Sequence, residues 1–264
     1  MYFGGTNMGD GDAGTYGFTV GSSEFVISSA PRTKLAEFGQ KDGGVFQGGF
    51  RSILNLKING HVVGTSWIDL KAKADAIAKL LDPINGDKSI LLDERNDREF
   101  TGRLVSSILP PVVGCSAFNM PLTFAVDPVA TSPTTTTQTV ALSTNPQTFT
   151  VPAAGVVPGN KRALPVWTIK NTNASALSST ILNNATTIQT MANSKSVAQN
   201  QYLRYDTERQ ITEFSTDGTA YTAAMSTTDG NHKWFPELLH GVSNSLTIYN
   251  VPTGVLTITY KTRY

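Results

Sequence analysis

Asp93, Glu94, Asp97 and Glu99 fall within one short stretch. Paired carboxylates are the machinery of glycoside hydrolysis, one acting as acid and the other as base or nucleophile. Arg95, Arg98 and Arg103 interleave with them, which favours a charge-balanced turn or a subunit contact over an acid–base pair. The three histidines are His61, His232 and His240. None stands four residues from another, the spacing that puts two metal-binding imidazoles on one helix face. No serine occupies a nucleophile elbow. Gly9-Asp10-Gly11-Asp12-Ala13-Gly14 matches G-x-G-x-x-G, but a dinucleotide site needs a strand before it and a helix after it. Neither is readable, so the segment reads as a flexible loop. Asp10, Asp12 and Gly14 begin like a calcium loop, yet Gly21 stands where the bidentate glutamate belongs. Trp167 and Trp234, with nearby tyrosines, have the chemistry of a sugar-stacking platform. Anchoring a core or an interface is the commoner use of so large a side chain, and Trp234 is kept as the one candidate glycan or partner contact. The chain is expected to hold no catalytic residue, no metal and no cofactor.

The bulk composition points the same way. In 264 residues and 28.3 kDa there is room for two domains, each with its own core. Hydrophobic residues make up 39% and charged residues 16%, and the balance is Thr, Ser, Asn and 23 Gly, the composition of turn-rich β structure. A net charge of +1 gives no field that would attract nucleic acid or an anionic membrane. Cys115 is the only cysteine, which rules out an internal disulfide or a cysteine-based zinc site, and it is expected as a small buried filler. No apolar run reaches the length of a membrane span. Met1-Tyr2-Phe3-Gly4-Gly5 lacks the features of a signal peptide, so the expectation is folding in a reducing cytoplasm. On that expectation the sequons at Asn173-Ala174-Ser175 and Asn184-Ala185-Thr186 carry little weight.

The elements that must position these residues are strands. From Gln201 to Tyr264 the chain reads as short strands and tight turns, with turns at Asp206–Arg209, Asp217-Gly218 and Pro252-Thr253-Gly254. In the last strand Leu256, Ile258 and Tyr260 share one face while Thr257, Thr259 and Lys261 share the other. Phe118, Met120, Leu122, Phe124 and Val126 alternate cleanly, and Pro121 marks an edge position. The stretch from Arg98 to Ile108 reads as one strand, with Phe100, Leu104 and Ile108 on a common face. Asn59-Gly60 is a strong hairpin signal between Arg51–Ile58 and His61-Val62-Val63. One helix is expected from Ser66 to Leu81. It is capped by Ser66, stopped by Pro83, apolar along Trp67, Leu70, Ala74, Ile77 and Leu81, and laced by Asp69–Lys73 and Asp75–Lys79. Ala72, Ala76 and Ala78 keep its other side small enough for a second close contact. Residues 1 to about 48 look Gly-rich and irregular, with a turn at Asp42-Gly43-Gly44. The Thr/Ser/Pro stretch 131–146, with Thr134-Thr135-Thr136-Thr137, divides residues 1–130 from 147–264.

In this order the segments resemble the distal tail proteins of long-tailed, siphovirus-type bacteriophages. In the first half the resemblance rests on Asp42-Gly43-Gly44, Arg51 through Gly60, Leu80-Leu81-Asp82, Asp97 through Leu104, and Phe118 through Pro128. In the second it rests on Ala163 through Asn171, Tyr202 through Asp206, and Trp234 through Asn244. That last segment is similar to the family's FP-x-L-x-x-G-x-N, with Val242-Ser243 where one residue is usual.

The resemblance implies a mainly β fold. A belt domain of β-sandwich or split-barrel type with one helix would be followed by a galectin-like, jelly-roll-like β-sandwich. It further implies a homo-hexameric ring in the virion, at the phage tail tip, assembled in the host cytoplasm. The ring would join the tail tube protein to the tail-tip hub protein and offer a dock for receptor-binding or side-fibre proteins. Arg95, Arg98, Arg103, Ala72 and Ala76 are then the ring-interface candidates, and no enzymatic activity is expected. A carbohydrate-binding, lectin-like adhesin is the alternative, and a β-rich hydrolase is a third class; both lack a supporting motif, and a galectin-like fold does not by itself establish sugar binding.

Overall fold

A computed structural model describes residues 1–9, 14–25, 31–37, 44–51, 53–109, 111–224 and 235–264, with backbone alone for 25, 31–37, 44 to 51. It is mainly β with one α-helix among the described residues, and it divides into two compact units, Met1–Pro133 and Thr134–Tyr264.

In the first unit β1 (Tyr2–Phe3) and β2 (Thr6–Asn7) form a minimal hairpin, with Gly4 and Gly5 at positive φ in its turn. β3 (Phe18–Phe25) follows, then a two-stranded ribbon of β4 (Pro31–Glu37) and β5 (Gly44–Arg51). β6 (Leu54–Val63), α1 (Trp67–Leu80), β7 (Lys88–Leu92), β8 (Arg95–Leu104) and β9 (Ala117–Val126) complete the frame. The main sheet runs β2-β1-β7-β8-β9-β6-β3, antiparallel throughout. Leu56, Ile58, Val62, Met120, Leu122, Phe124, Ile90 and Phe100 bury from it, joined by Leu70, Ala74 and Ile77 of α1. The segment expected to be irregular is largely strand, because its glycines serve turns and a bulge at Val20/Ser22 instead of breaking the pairing.

Asn59-Gly60 is not a turn. It lies inside β6, with Asn59 opposite Pro121 and Gly60 opposite Met120. A Cβ on Gly60 would stand 2.6 Å from Phe18 Cε2 and 2.8 Å from the Thr19 carbonyl oxygen. The glycine is there so that the buried Phe18 ring can lie on the strand backbone. Pro121 sits as expected: β8 pairs with β9 only from Phe124 to Val126, so the first half of β9 has β6 on one side alone. The Asp42-Gly43 turn lies outside the described residues.

The helix forms as its pattern dictates. Ser66 accepts from the Asp69 N–H at 3.2 Å, while the Asp69 carboxylate accepts from the Thr65 N–H at 2.8 Å and meets Lys73 Nζ at 3.3 Å. The Thr65 bond first, with Lys73 and the Thr65 hydroxyl assisting, holds the Asp69 carboxyl below its ordinary pKa. Lys73 is 3% exposed and also donates to the Val63 carbonyl at 2.9 Å, fastening the helix to β6.

The second unit is a two-sheet sandwich. β10 (Thr131–Leu142) enters it and is followed by β11 (Gln147–Val151), β12 (Val166–Asn171), β13 (Thr180–Asn184) and β14 (Gln189–Asn193). β15 (Tyr202–Asp206), β16 (Ile211–Ser215), β17 (Thr222–Ala223), β18 (Asn244–Tyr249) and β19 (Gly254–Arg263) complete it. One sheet runs β17-β16-β15-β12-β19-β10 and the other β11-β18-β13-β14. Strict alternation in β12, β13, β18 and β19 sends Trp167, Ile169, Leu182, Leu246, Ile248, Leu256 and Ile258 into a common core. The Thr/Ser/Pro stretch, expected as a linker, is strand over Thr131–Leu142; β-branched threonines suit an extended, half-exposed backbone.

Candidate assembly surface

The charged hairpin is built by β7 and β8, which turn tightly through Asp93 and Glu94. Its ionic groups are tied down within the unit. Asp93 meets the Met1 ammonium at 2.6 Å, and Glu94 accepts from the Ser23 hydroxyl. Arg98 meets Asp97 at 3.1 Å, and Arg103 grips Asp87 with two bonds of 2.6 and 3.0 Å. The Arg103 guanidinium holds the Asp87 carboxyl below its ordinary value. Arg95 and Arg98 are half-buried and Arg103 exposed, all on β8.

The expected second face of α1 is present. Ala72 and Ala78 are exposed and Ala76 is half-buried. Ala76 borders a cavity of about 540 Å³ that is also lined by Phe3, Tyr16, Lys79, Leu80 and Lys88, a size within the range of ligand or side-chain sites. The expected Asp75–Lys79 ion pair does not form. Lys79 turns to this cavity, and among the described residues neither it nor Lys88 has a carboxylate partner. No grouping of three or more His, Cys, Asp or Glu side chains suited to a metal occurs among the described residues.

A further feature was not read from the sequence. β8 ends at Leu104, short of Ile108, because the Thr123 carbonyl accepts from both Val105 N at 2.8 Å and Ser106 N at 3.3 Å while Ser106 Oγ accepts from Thr123 N. The chain is thereby lifted off the sheet. Beyond it Leu109, Val112 and Val113 stand 71–77% exposed. Cys115 is exposed in the same loop and not the buried filler its neighbours implied. Ile68, in the first turn of α1, and Ile84, beyond its end, are exposed as well. Leu109, Val112 and Val113, three solvent-facing aliphatics in one loop, have the character of a contact surface.

In the second unit Trp167 is fully buried, and its indole N–H donates to the Pro236 carbonyl at 3.2 Å and to Thr207 Oγ1 at 3.3 Å. It is a core anchor and offers no ring face to a sugar. Trp234 lies outside the described residues, as do His232 and residues 10–13 of the glycine loop. The rest of the Trp234–Asn244 segment has a structural explanation. Asn244, fully buried, accepts from Leu239 N at 2.8 Å and donates to Leu239 O at 3.0 Å, while Asn184 Nδ2 donates to Glu237 O at 2.6 Å. These amides clamp residues 237–239 onto the sandwich. Asn184 is fully buried in that role, which removes its sequon as a glycan acceptor. Tyr205 is also fully buried, and burial pushes its phenol well above the ordinary range.

No protein-family model matches the chain, and no curated protein matches it. Among solved structures it is similar to the Dit protein of phage SPP1, described as a paradigm of the hub adsorption apparatus of phages that infect Gram-positive bacteria. The TM-score is 0.70 at 14% identity, over 99% of this chain and 97% of that one. Chains of the phage p2 baseplate in its activated conformation, with strontium and with calcium, give TM-scores of 0.47 and 0.45 at 9% and 10% identity. They cover 96% and 90% of this chain, and 92% and 90% of their own lengths; at such scores the likeness carries no weight. What the SPP1 comparison shows is fold, from end to end: this chain has the fold of a phage distal tail (Dit) protein.

Proposed function

We propose that the chain is a structural component of a phage tail tip, and that six copies close into a ring through the first unit. The ring joins the tail tube to the tail-tip hub and presents the second, galectin-like unit outward as a dock for receptor-binding or side-fibre proteins. The observation that carries this reading is the likeness to the SPP1 hub protein over nearly the whole of both chains. The exposed aliphatics of the first unit accord with an assembly role. Negative-stain images of the purified protein test it. Rings of six around a central hole are expected, and a uniform field of single particles at high concentration would overturn the ring.

A further inference from the structure

The cavity beside α1 holds two lysines, the otherwise charge-balanced tip of the β7–β8 hairpin holds one exposed carboxylate without a cation among the described residues, Glu94, and the two lie beyond opposite ends of one strand. Lys88 opens β7 and lines the cavity; Asp93 and Glu94 follow its last residue, Leu92. Five residues of strand separate the two by roughly 16 Å. The cavity has an apolar wall of Phe3 and Leu80, a small residue at Ala76, and two lysines without a carboxylate partner among the described residues. At the tip, Glu94 and Asp97 are exposed; the former is bonded to a neutral hydroxyl and the latter shares the single cation of Arg98.

A ring closes only through a heterologous contact, in which each protomer offers two different and complementary patches to its two neighbours. A basic socket at one end of a strand and the uncompensated Glu94 carboxylate at the other have that character. We propose that the α1–β7 cavity is a socket for the hairpin tip of a second copy of this chain, with Glu94 of that copy reaching between Lys79 and Lys88. The proposal rests on the ring reading and adds its contact. The exposed lysines lose little solvation until the tip arrives, and the apolar wall then excludes water and strengthens the pairing. The contact also sets the direction in which copies follow one another, since opposite charge at two unlike patches selects one order.

Reciprocal charge reversal tests this. One variant carries Lys79→Glu and Lys88→Glu, the other Glu94→Lys and Asp97→Lys, and each is compared with the wild-type chain by sedimentation and by thermal melting. Each variant alone presents like charges at every junction and is expected to associate at least about tenfold more weakly than the wild type, with an unchanged protomer melt. Mixed in equal amounts, every junction between unlike variants is again complementary, so rings alternating the two should return. If the wild type forms no ring, the ring reading itself fails. If the wild type forms rings and the lysine variant does so equally well, the ring stands and the socket is wrong. If both variants fall apart but the mixture stays apart, the lysines do not receive this hairpin, and the proposal is overturned.

Discussion

The two units treat their large aliphatic side chains differently. In Met1–Pro133 Ile53, Ile68, Ile84, Val105, Leu109, Val112 and Val113 stand 57–87% exposed, whereas in Thr134–Tyr264 the exposed large aliphatics among the described residues are Val156 at 53% and Ile188 at 90%. The second unit turns its apolar residues into a single core from Leu142 to Tyr260 and pins its 237–239 loop with buried amides. The first leaves a cavity beside its helix and an apolar loop in water. On the function proposed above, the first unit carries assembly and the self-contained second unit carries presentation.

The comparison breaks most sharply at the core of the second unit. Trp167→Ala should cost about 3–5 kcal/mol and abolish the cooperative melt of that unit, as followed by near-ultraviolet circular dichroism. A variant that melts normally would mean the sandwich does not depend on its central anchor. The equivalent for the first unit is Gly60→Val, which drives a side chain into Phe18 and the Thr19 carbonyl; a loss of about 1–3 kcal/mol is expected, confined to the first transition if the two units melt separately. Asn244→Ala leaves the Leu239 backbone groups unpaired and should cost about 1–3 kcal/mol in the second unit alone. Arg95→Glu with Arg98→Glu makes the hairpin tip more acidic, so it should leave association intact or tighter if Glu94 seats between Lys79 and Lys88, with the protomer melt changed by no more than about 1 kcal/mol because such open ion pairs contribute little to folding; weaker association would show that the arginines themselves carry the contact.

The smallest effect is acid dependence in the first unit. The Asp87 carboxyl is held below its ordinary 3.8 by Arg103. Its contribution is therefore complete above that value and fades as pH falls below it, because the unfolded chain takes up the proton first. Asp87→Asn should lower stability slightly at neutral pH and flatten the decline below pH 3.8; an unchanged acid profile would remove the pair from the account.

Local pattern carried much of this structure and distance carried the rest. The helix, its Ser66 cap and the alternation of β9 and β19 were legible because each depends on neighbours in sequence. Asn59-Gly60 was misread because the same dipeptide serves a tight turn or a close ring contact, and only Phe18, some forty residues away, decides between them. Cys115 and Val112-Val113 read as strand-like and buried; the hydrogen bonds from Val105 and Ser106 to Thr123 that lift the loop away are tertiary. The cavity could not be read at all, since it is lined from β1 (Phe3), the loop before β3 (Tyr16), α1 (Ala76 and Lys79) and β7 (Lys88), far apart in sequence. The charged hairpin was legible as a cluster, though not its ties to Met1, Ser23 and Asp87.

The division of labour is tested most directly by sedimentation of residues 131–264, which keep β10 beside β19, alongside the intact chain across a range of concentration. The account predicts that the fragment melts cooperatively and stays monomeric while the intact chain reaches the mass of six copies. A fragment that associates as strongly as the intact chain would contradict it, and would move assembly to the second unit.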